Sequence, residues 1–245
     1  MITYRLADIP VCFCHKYAPR PSALLDYRTE EEPLFSCAVD EQKILCLKEE
    51  LTALRQEGAP PVDPAFCESF ALYLALAEQL PLYDGFLLHA SLLSLDGMGV
   101  AILAPSGIGK STLAKNLVRL LPTSAHIING DKPLVRRGCE GVFLGYGTPF
   151  CGKEGWYRKE ASPIKKLIFL RRADTDTVTP MRRADAFPRL YEAVHLPKEP
   201  AVLSRLPSLL SSLLSTVECY DAALTKEVGA ATCVYRTLFG KEIPL

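Results

Sequence analysis

What this chain lacks narrows its class before any motif is read. It has no excess of charge: Lys plus Arg and Asp plus Glu number 28 each, so the formal net charge is zero. A balanced chain gives no argument for nucleic acid or an anionic membrane as partner. No apolar run approaches the length of a membrane-spanning helix. The N-terminal Met-Ile-Thr-Tyr-Arg-Leu-Ala-Asp lacks the pattern of a signal peptide. One tryptophan and four histidines leave few candidates for base stacking or proton transfer. Cysteine is present, nine residues in all, but no C-x-x-C pair is. The one cluster, Cys12-Phe-Cys14-His15, has the wrong spacing for a zinc site. These absences predict a cytoplasmic protein with reduced thiols and with no membrane or nucleic-acid partner. They leave homo-oligomerisation open.

The 245 residues, 49% of them hydrophobic, suffice for one large domain with a small attachment. Residues 1–60 read as a small β-rich segment, with strand-like Ile2–Leu6 and Val11–Cys14. Lys43–Arg55 mixes a strand-like start (Ile44, Leu45, Cys46, Leu47) with a helical end. Ala59-Pro-Pro-Val-Asp-Pro64 reads as a linker. Residues 65–245 then form the main domain. Ala65–Leu80 predicts a helix with Phe66, Phe70, Tyr73, Leu74, Ala77 and Leu80 on one face. Two apolar runs, from Phe86 and from Val100, joined by Asp96-Gly-Met-Gly99, read as a β-hairpin. Further on come a strand at 126–129, a second hairpin (Pro133–Arg137 and Val142–Tyr146) and a strand at Lys166–Leu170. Helices are expected at Ala184–Val194, with Pro188 as a break, and at Pro207–Leu214. A strand at Val217–Tyr220 and a last helix to about Leu238 complete the pattern.

The stretch with most chemistry is Ala104-Pro105-Ser106-Gly107-Ile108-Gly109-Lys110-Ser111-Thr112. It fits the phosphate-loop pattern G-x-x-x-x-G-K-[ST] at every position but the first, where Ala104 replaces Gly. Without that first Gly, a chance match arises in roughly one chain in ten of this length. The setting cuts that sharply. Strand-like Gly99–Leu103 precedes the loop, and Ser111–Leu121 follows with apolar residues at helical spacing until Pro122. The loop amides and the helix N-terminus together make an anion site. Gly107 and Gly109 let the backbone approach phosphate oxygens. Lys110 would reach the β- and γ-phosphates, and Ser111 would ligate magnesium. Ala104 is harmless at negative φ and harmful at positive φ. A carboxylate is needed too, and Asp131, ending the next strand in Asn129-Gly130-Asp131, is the first acidic residue after Lys110. An ordinary Asn-Gly-Asp turn is the alternative.

Four segments together resemble the HPr kinase-related family: His89-Ala-Ser, the 104–112 loop, Asn129-Gly-Asp-Lys-Pro, and Gly147-Thr-Pro-Phe-Cys-Gly-Lys153-Glu154-Gly155. That family shares its nucleotide-binding core with ATP-dependent phosphoenolpyruvate carboxykinase. The resemblance is specific over about 85–171. It implies an α/β fold with a P-loop core, a mixed sheet and flanking helices. It also implies ATP and Mg2+, with transfer of a phosphoryl group to a hydroxyl of a protein serine, a modified peptide or a metabolite. By chemistry alone, His89 in an apolar run reads as a core residue; the resemblance moves it to the site. Glu154 and Lys153 would join a charged cluster near the γ-phosphate, with a solvated loop as the alternative. Ser106 either bonds a phosphate oxygen or stabilises the loop. The family's second motif carries two adjacent aspartates; here Gly130 stands in place of the first. Asp131 therefore does double duty, or another group is the base, or catalysis is degenerate and the protein is an ATP-binding regulator or scaffold. Gly130→Asp suggests itself as the substitution that separates these. A carboxykinase acting on oxaloacetate is disfavoured by the short chain. Arg136-Arg137 and Arg171-Arg172 read as solvated strand ends. Trp156 reads as a loop anchor rather than a base-stacking residue, and Cys151 as no nucleophile.

Overall fold

The computed structural model describes residues 1–54 and 61–242. The chain divides into two compact units, Met1–Leu80 and Pro81–Leu245. In the first unit, β1 (Ile2–Leu6) and β2 (Ile9–Phe13) form an antiparallel hairpin, and β3 (Phe35–Cys37) adds parallel to β2. The hairpin turn is Ala7-Asp8, both at positive φ, which matches the twist of the flanking strands. The unit is not β alone, because two helices follow. α1 (Glu41–Ala53) starts where the Asp40 side chain accepts from the Lys43 amide. It takes in the whole run expected to begin as a strand; four apolar residues are ambiguous by periodicity, and the cap precedes them. α2 (Pro64–Gln79) has Pro at its first position and Asp63 accepting from the Ala65 amide. The linker expected at 59–64 lies partly outside the described residues. α2 also buries more than the one stripe foreseen: Cys67, Glu68, Ser69, Ala71, Leu72, Tyr73 and Leu76 are all buried, while Phe66 and Phe70 are half-buried.

The second unit is a mixed α/β assembly, a mixed sheet flanked by helices. Its strands are β4 (Gly85–Leu87), β5 (Ala90–Leu95), β6 (Met98–Leu103), β7 (Ala125–Asn129), β8 (Leu134–Arg137), β9 (Phe143–Tyr146), β10 (Ala161–Arg172), β11 (Thr177–Pro180) and β12 (Glu218–Leu224). The helices are α3 (Lys110–Leu120), α4 (Arg183–Glu192), α5 (Pro200–Leu203), α6 (Leu206–Thr216) and α7 (Gly229–Phe239). Pro188 lies inside α4 without ending it. The strand order is β4-β8-β9-β10-β6-β5-β7, with β12 beside β10 and β11 beside β12. β10 is longer than its apolar centre suggests: Ala161–Pro163 pair antiparallel with β9, and Ile164–Phe169 pair parallel with β6. β12 is parallel to β10, and β5 is antiparallel to both β6 and β7. So β6, β7, β10 and β12 run the same way, and their C-terminal ends emerge at one edge.

Side chains alternate across these strands, and the alternation sorts the core. Leu93, Val100, Ile102, Ile168, Leu170 and Ala222 pack with α3 and α7; Leu92, Ala101, Leu103, Leu167, Phe169 and Cys219 pack with α4 and α6. Leu117 of α3 is fully buried, and its truncation to Ala would cost about 2–5 kcal/mol. The foreseen hairpin forms between β5 and β6, with Asp96 and Gly97 at positive φ. The run before it does not stay in one strand. It breaks at Leu88-His89, so β4 joins β8 and β5 joins β6. The break is held by backbone bonds from Leu88 N to Pro133 O, from His89 N to Ala193 O and from Ala90 N to Asp131 O.

Candidate functional site

The 104–112 loop leaves β6 and opens α3. Ala104 is not among the residues at positive φ, so the loop loses nothing by having Cβ there. Gly107 and Gly109 are at φ 80° and 120°, where other residues are strained. Gly109 is the N-cap of α3, and no side chain caps the helix. The amides of Lys110, Ser111 and Thr112 therefore have no intrahelical acceptor and face the loop's concavity.

A cleft of about 440 Å³ lies over this helix start. Its walls include His89, Ser106, Gly107, Gly109, Lys110, Ser111 and Thr112 from one side. Gly130, Asp131, Cys151, Gly152, Lys153, Glu154 and Arg172 close the other. Pro105 and Ile108 do not line it; they face a second cleft beside Leu103, Phe169 and Arg189. The residues singled out from the sequence thus line this one cleft, apart from those two.

Within the cleft three groups are linked. The Lys110 ammonium donates to Ala104 O at 2.7 Å and lies 3.2 Å from His89 Nε2. His89 Nε2 is also 3.2 Å from Asp131 Oδ1, and the Lys132 ammonium donates to Asp131 Oδ2 at 2.5 Å. One nitrogen serves two partners that need opposite roles. Unprotonated, Nε2 accepts from Lys110; protonated, it donates to Asp131. Burial lowers the pKa of Lys110, and the nearby Asp131 only partly restores it. Burial would raise the Asp131 carboxyl, but the His89 hydrogen bond and the Lys132 charge hold it well below the usual carboxylate range. Asp131 is thus held as an ionised carboxylate. Ser111 lines the same cleft, and a hydroxyl and a carboxylate are hard oxygen donors of the kind magnesium takes. The Asn129 carboxamide oxygen fixes the Asp131 turn by accepting from the amides of Asp131 and Lys132.

Lys153 and Glu154 are exposed on the far rim. Burial pushes the Cys151 thiol up to about 11, which leaves it a poor nucleophile at neutral pH. Trp156 anchors its loop through the backbone, its carbonyl accepting from Gly130 N at 2.9 Å. That close approach explains Gly130. A Cβ there would stand 2.7 Å from Cys151 O. Gly130 is therefore required by the loop resting on it, and Gly130→Asp would displace backbone rather than simply restore an acidic pair. Sequence reading missed two further groups. Lys132 partners the key carboxylate from the adjacent position, a contact that Asp131-Lys132 spacing alone does not reveal. Arg172 is an exposed strand end, as expected, but it also lines the cleft, and only the sheet register says which way it points.

Among the described residues, no group of three or more His, Cys, Asp or Glu side chains is arranged to hold a metal by itself. All nine cysteines are free. Among the described residues, no helix is long and apolar enough to cross a membrane.

A family model described as SynChlorMet cassette protein ScmC matches residues 70–196, just over half of the chain. No curated protein matches. Among solved structures, the Hpr(Ser) kinase/phosphatase from Coxiella burnetii is 12% identical, over 63% of this chain and 97% of its own, with a TM-score of 0.36. A likeness that slight carries no argument about fold or activity.

Proposed function

The chain belongs to the SynChlorMet cassette protein ScmC family, and within that family we propose that it is an ATP-dependent phosphotransferase. The cleft would take MgATP and pass the γ-phosphoryl group to a hydroxyl of a protein, peptide or metabolite. The observation that carries this is the linked set of Lys110, His89 and Asp131 beside an uncapped helix N-terminus. Three parts needed for phosphoryl transfer, a phosphate cradle, a cation and an ionised carboxylate, then meet at one edge.

Lys110 would neutralise the β- and γ-oxygens, together with the amides at the start of α3. Ser111 and Asp131 would hold magnesium, which would supply positive charge to offset that of the phosphates. The acceptor oxygen forms the new bond to γ-phosphorus as the bond to the β–γ bridging oxygen breaks, releasing ADP. His89 Nε2 would take the hydroxyl proton. That proton turns Nε2 towards Asp131 and frees Lys110 for the phosphates as their charge shifts. Cytoplasmic location and the nature of the acceptor belong to the same proposal.

Labelled ATP with magnesium, offered with candidate acceptors, tests it. Label should appear in product, or in phosphate when water is the acceptor, and Lys110→Ala should lower the rate at least about a hundredfold. Identical rates for the two proteins would falsify the proposal. The second reading, an ATP-binding regulator or scaffold, is favoured by the tight Asp131–Lys132 pair and by Gly130 standing where a second aspartate would be. It predicts nucleotide binding that depends on Lys110 with no transfer at all.

A further inference from the structure

Arg171 and Arg172 are neighbours at the end of β10, yet their surroundings differ. Alternation along β10 puts Leu167 and Phe169 with α4 and α6, and Ile168 and Leu170 with α3 and α7. Arg171 continues the first set. Its Nε donates to Asp221 Oδ2 at 3.0 Å, and Arg189 of α4 donates to Asp221 Oδ1 at 2.6 Å. That carboxyl, which burial alone would raise, is held below its usual range by the two guanidinium groups. Arg171 is thus accounted for by a structural ion pair.

Arg172 continues the second set and has no such partner: among the described residues no carboxylate pairs with it. Its guanidinium lies against the loop. A Cβ added to Gly109 would meet Arg172 Nη2 at 3.1 Å and Cζ at 3.4 Å. Gly109 is glycine because of its φ of 120°, and the Arg172 guanidinium packs over it. Arg172 also joins the main cleft to a smaller hollow beyond it, lined by Thr112, Asn116, Thr225, Lys226 and Glu227. Gly109, Thr112 and Arg172 are the residues common to both.

The charges agree. The cleft walls carry three cations, Lys110, Lys153 and Arg172, against two carboxylates, Asp131 and Glu154. Without Arg172 the excess of positive charge disappears. An unpaired guanidinium beside the free amides of a helix start is a fork of N–H donors suited to phosphate oxygens.

On the reading that this cleft takes MgATP, we propose that Arg172 is a ligand of the nucleotide's phosphates. It lies over Gly109, between the cleft and the small hollow at the end of β12. Lys110 and Arg172 would then both donate to the phosphates. Arg171, one residue away, takes no part.

Titration with MgADP and MgATP by calorimetry tests this on the native chain, Arg172→Ala, Arg172→Lys and Arg171→Ala. Arg172→Ala should weaken binding about ten- to hundredfold. It should also flatten the dependence of affinity on salt, while the thermal midpoint of the free protein stays within about 2 °C. Arg172→Lys should recover part of the loss, since it keeps the charge but not the fork. Arg171→Ala should bind within about threefold of native. Native-like binding and salt dependence by Arg172→Ala would overturn the assignment while leaving MgATP binding standing. Equal losses in both arginine variants would overturn it too, because they would mark a general field rather than a ligand. A native chain that binds neither nucleotide would overturn both this and the phosphotransferase proposal.

Discussion

Two of the histidines that face a carboxylate in this molecule could hardly be used more differently. In the first unit, His15 Nδ1 lies 3.5 Å from Glu68 Oε2, with side-chain exposures of 4% and 1%. In the second, His89 Nε2 lies 3.2 Å from Asp131 Oδ1, with exposures of 38% and 24%. Glu68 is committed to the backbone: its two oxygens accept from the amides of Lys16 and Tyr17 at 2.7 and 3.0 Å. His15 is tied to the buried Tyr4 hydroxyl through Nε2, at 3.1 Å. Burial outweighs Glu68 and lowers the His15 pKa, so the pair is a neutral imidazole beside a saturated carboxylate. Asp131 instead has ammonium groups around it and an open cleft before it. A His–carboxylate contact is therefore no mark of function. What separates the two is whether the oxygens are used up by the chain's own amides or face space that a ligand can enter.

That contrast can be attacked directly. The largest effect is expected from Asp131→Asn, which removes the charge that would hold magnesium. Turnover with labelled ATP should fall about a hundredfold or more, and the thermal midpoint should also fall, because the folded chain favours the ionised Asp131 that Asn cannot replace. Comparable activity in Asp131→Asn and native protein would place the essential carboxylate elsewhere. Next comes Glu68→Ala, which strands two buried amides. Urea unfolding should show a loss of about 2–5 kcal/mol, and any MgATP binding by the surviving folded chain should be unchanged. A fall in affinity as large as that of Lys110→Ala would erase the distinction between the pairs.

A third effect is on pH. His15 is harder to protonate when folded than when unfolded, so the unfolded chain binds more protons as pH falls through the ordinary histidine range. Stability should therefore decline below about pH 7, by at most about 1.4 kcal/mol per pH unit from this group. His15→Gln should flatten that slope in denaturant titrations at about pH 5 and 7; an unaltered slope would mean that another group sets it. Asp131 has its depressed pKa, so its contribution is kept above about pH 4 and lost only below. The smallest effect belongs to Arg171→Ala. It breaks a largely exposed pair at Asp221 and should cost under about 1 kcal/mol by thermal unfolding.

The sequence was legible where a local rule acts alone. The loop at 104–112 and the helix after it follow from glycine spacing and a 3.6-residue period, and α3 begins at Lys110. The Asp96-Gly97 turn follows from φ preferences. Asp131 and Lys110 meet at one edge because β7 and β6 run the same way, with antiparallel β5 between them. The misses are tertiary. The apolar run at 86–95 carries no punctuation at His89; the break exists because β8 and α4 supply other hydrogen-bond partners there. α1 took an apolar run that a strand could equally have used. Gly130 looked like a lost aspartate because close approach by Cys151, twenty-one positions on, leaves no local trace. Arg172 looked like Arg171 until alternation along β10 assigned them opposite faces.

That same strand has a dynamic consequence. β10 supplies hydrogen bonds to β9 at its start and to β6 and β12 through the rest of its length. The antiparallel strands and the parallel core thus have a member in common, and neither can open past β10 without exposing the other's edge. Amide exchange along Ile164–Leu170 should report the slowest, global opening of the second unit. The cleft would then dissolve only together with the core beneath it, rather than fraying first as a surface loop does.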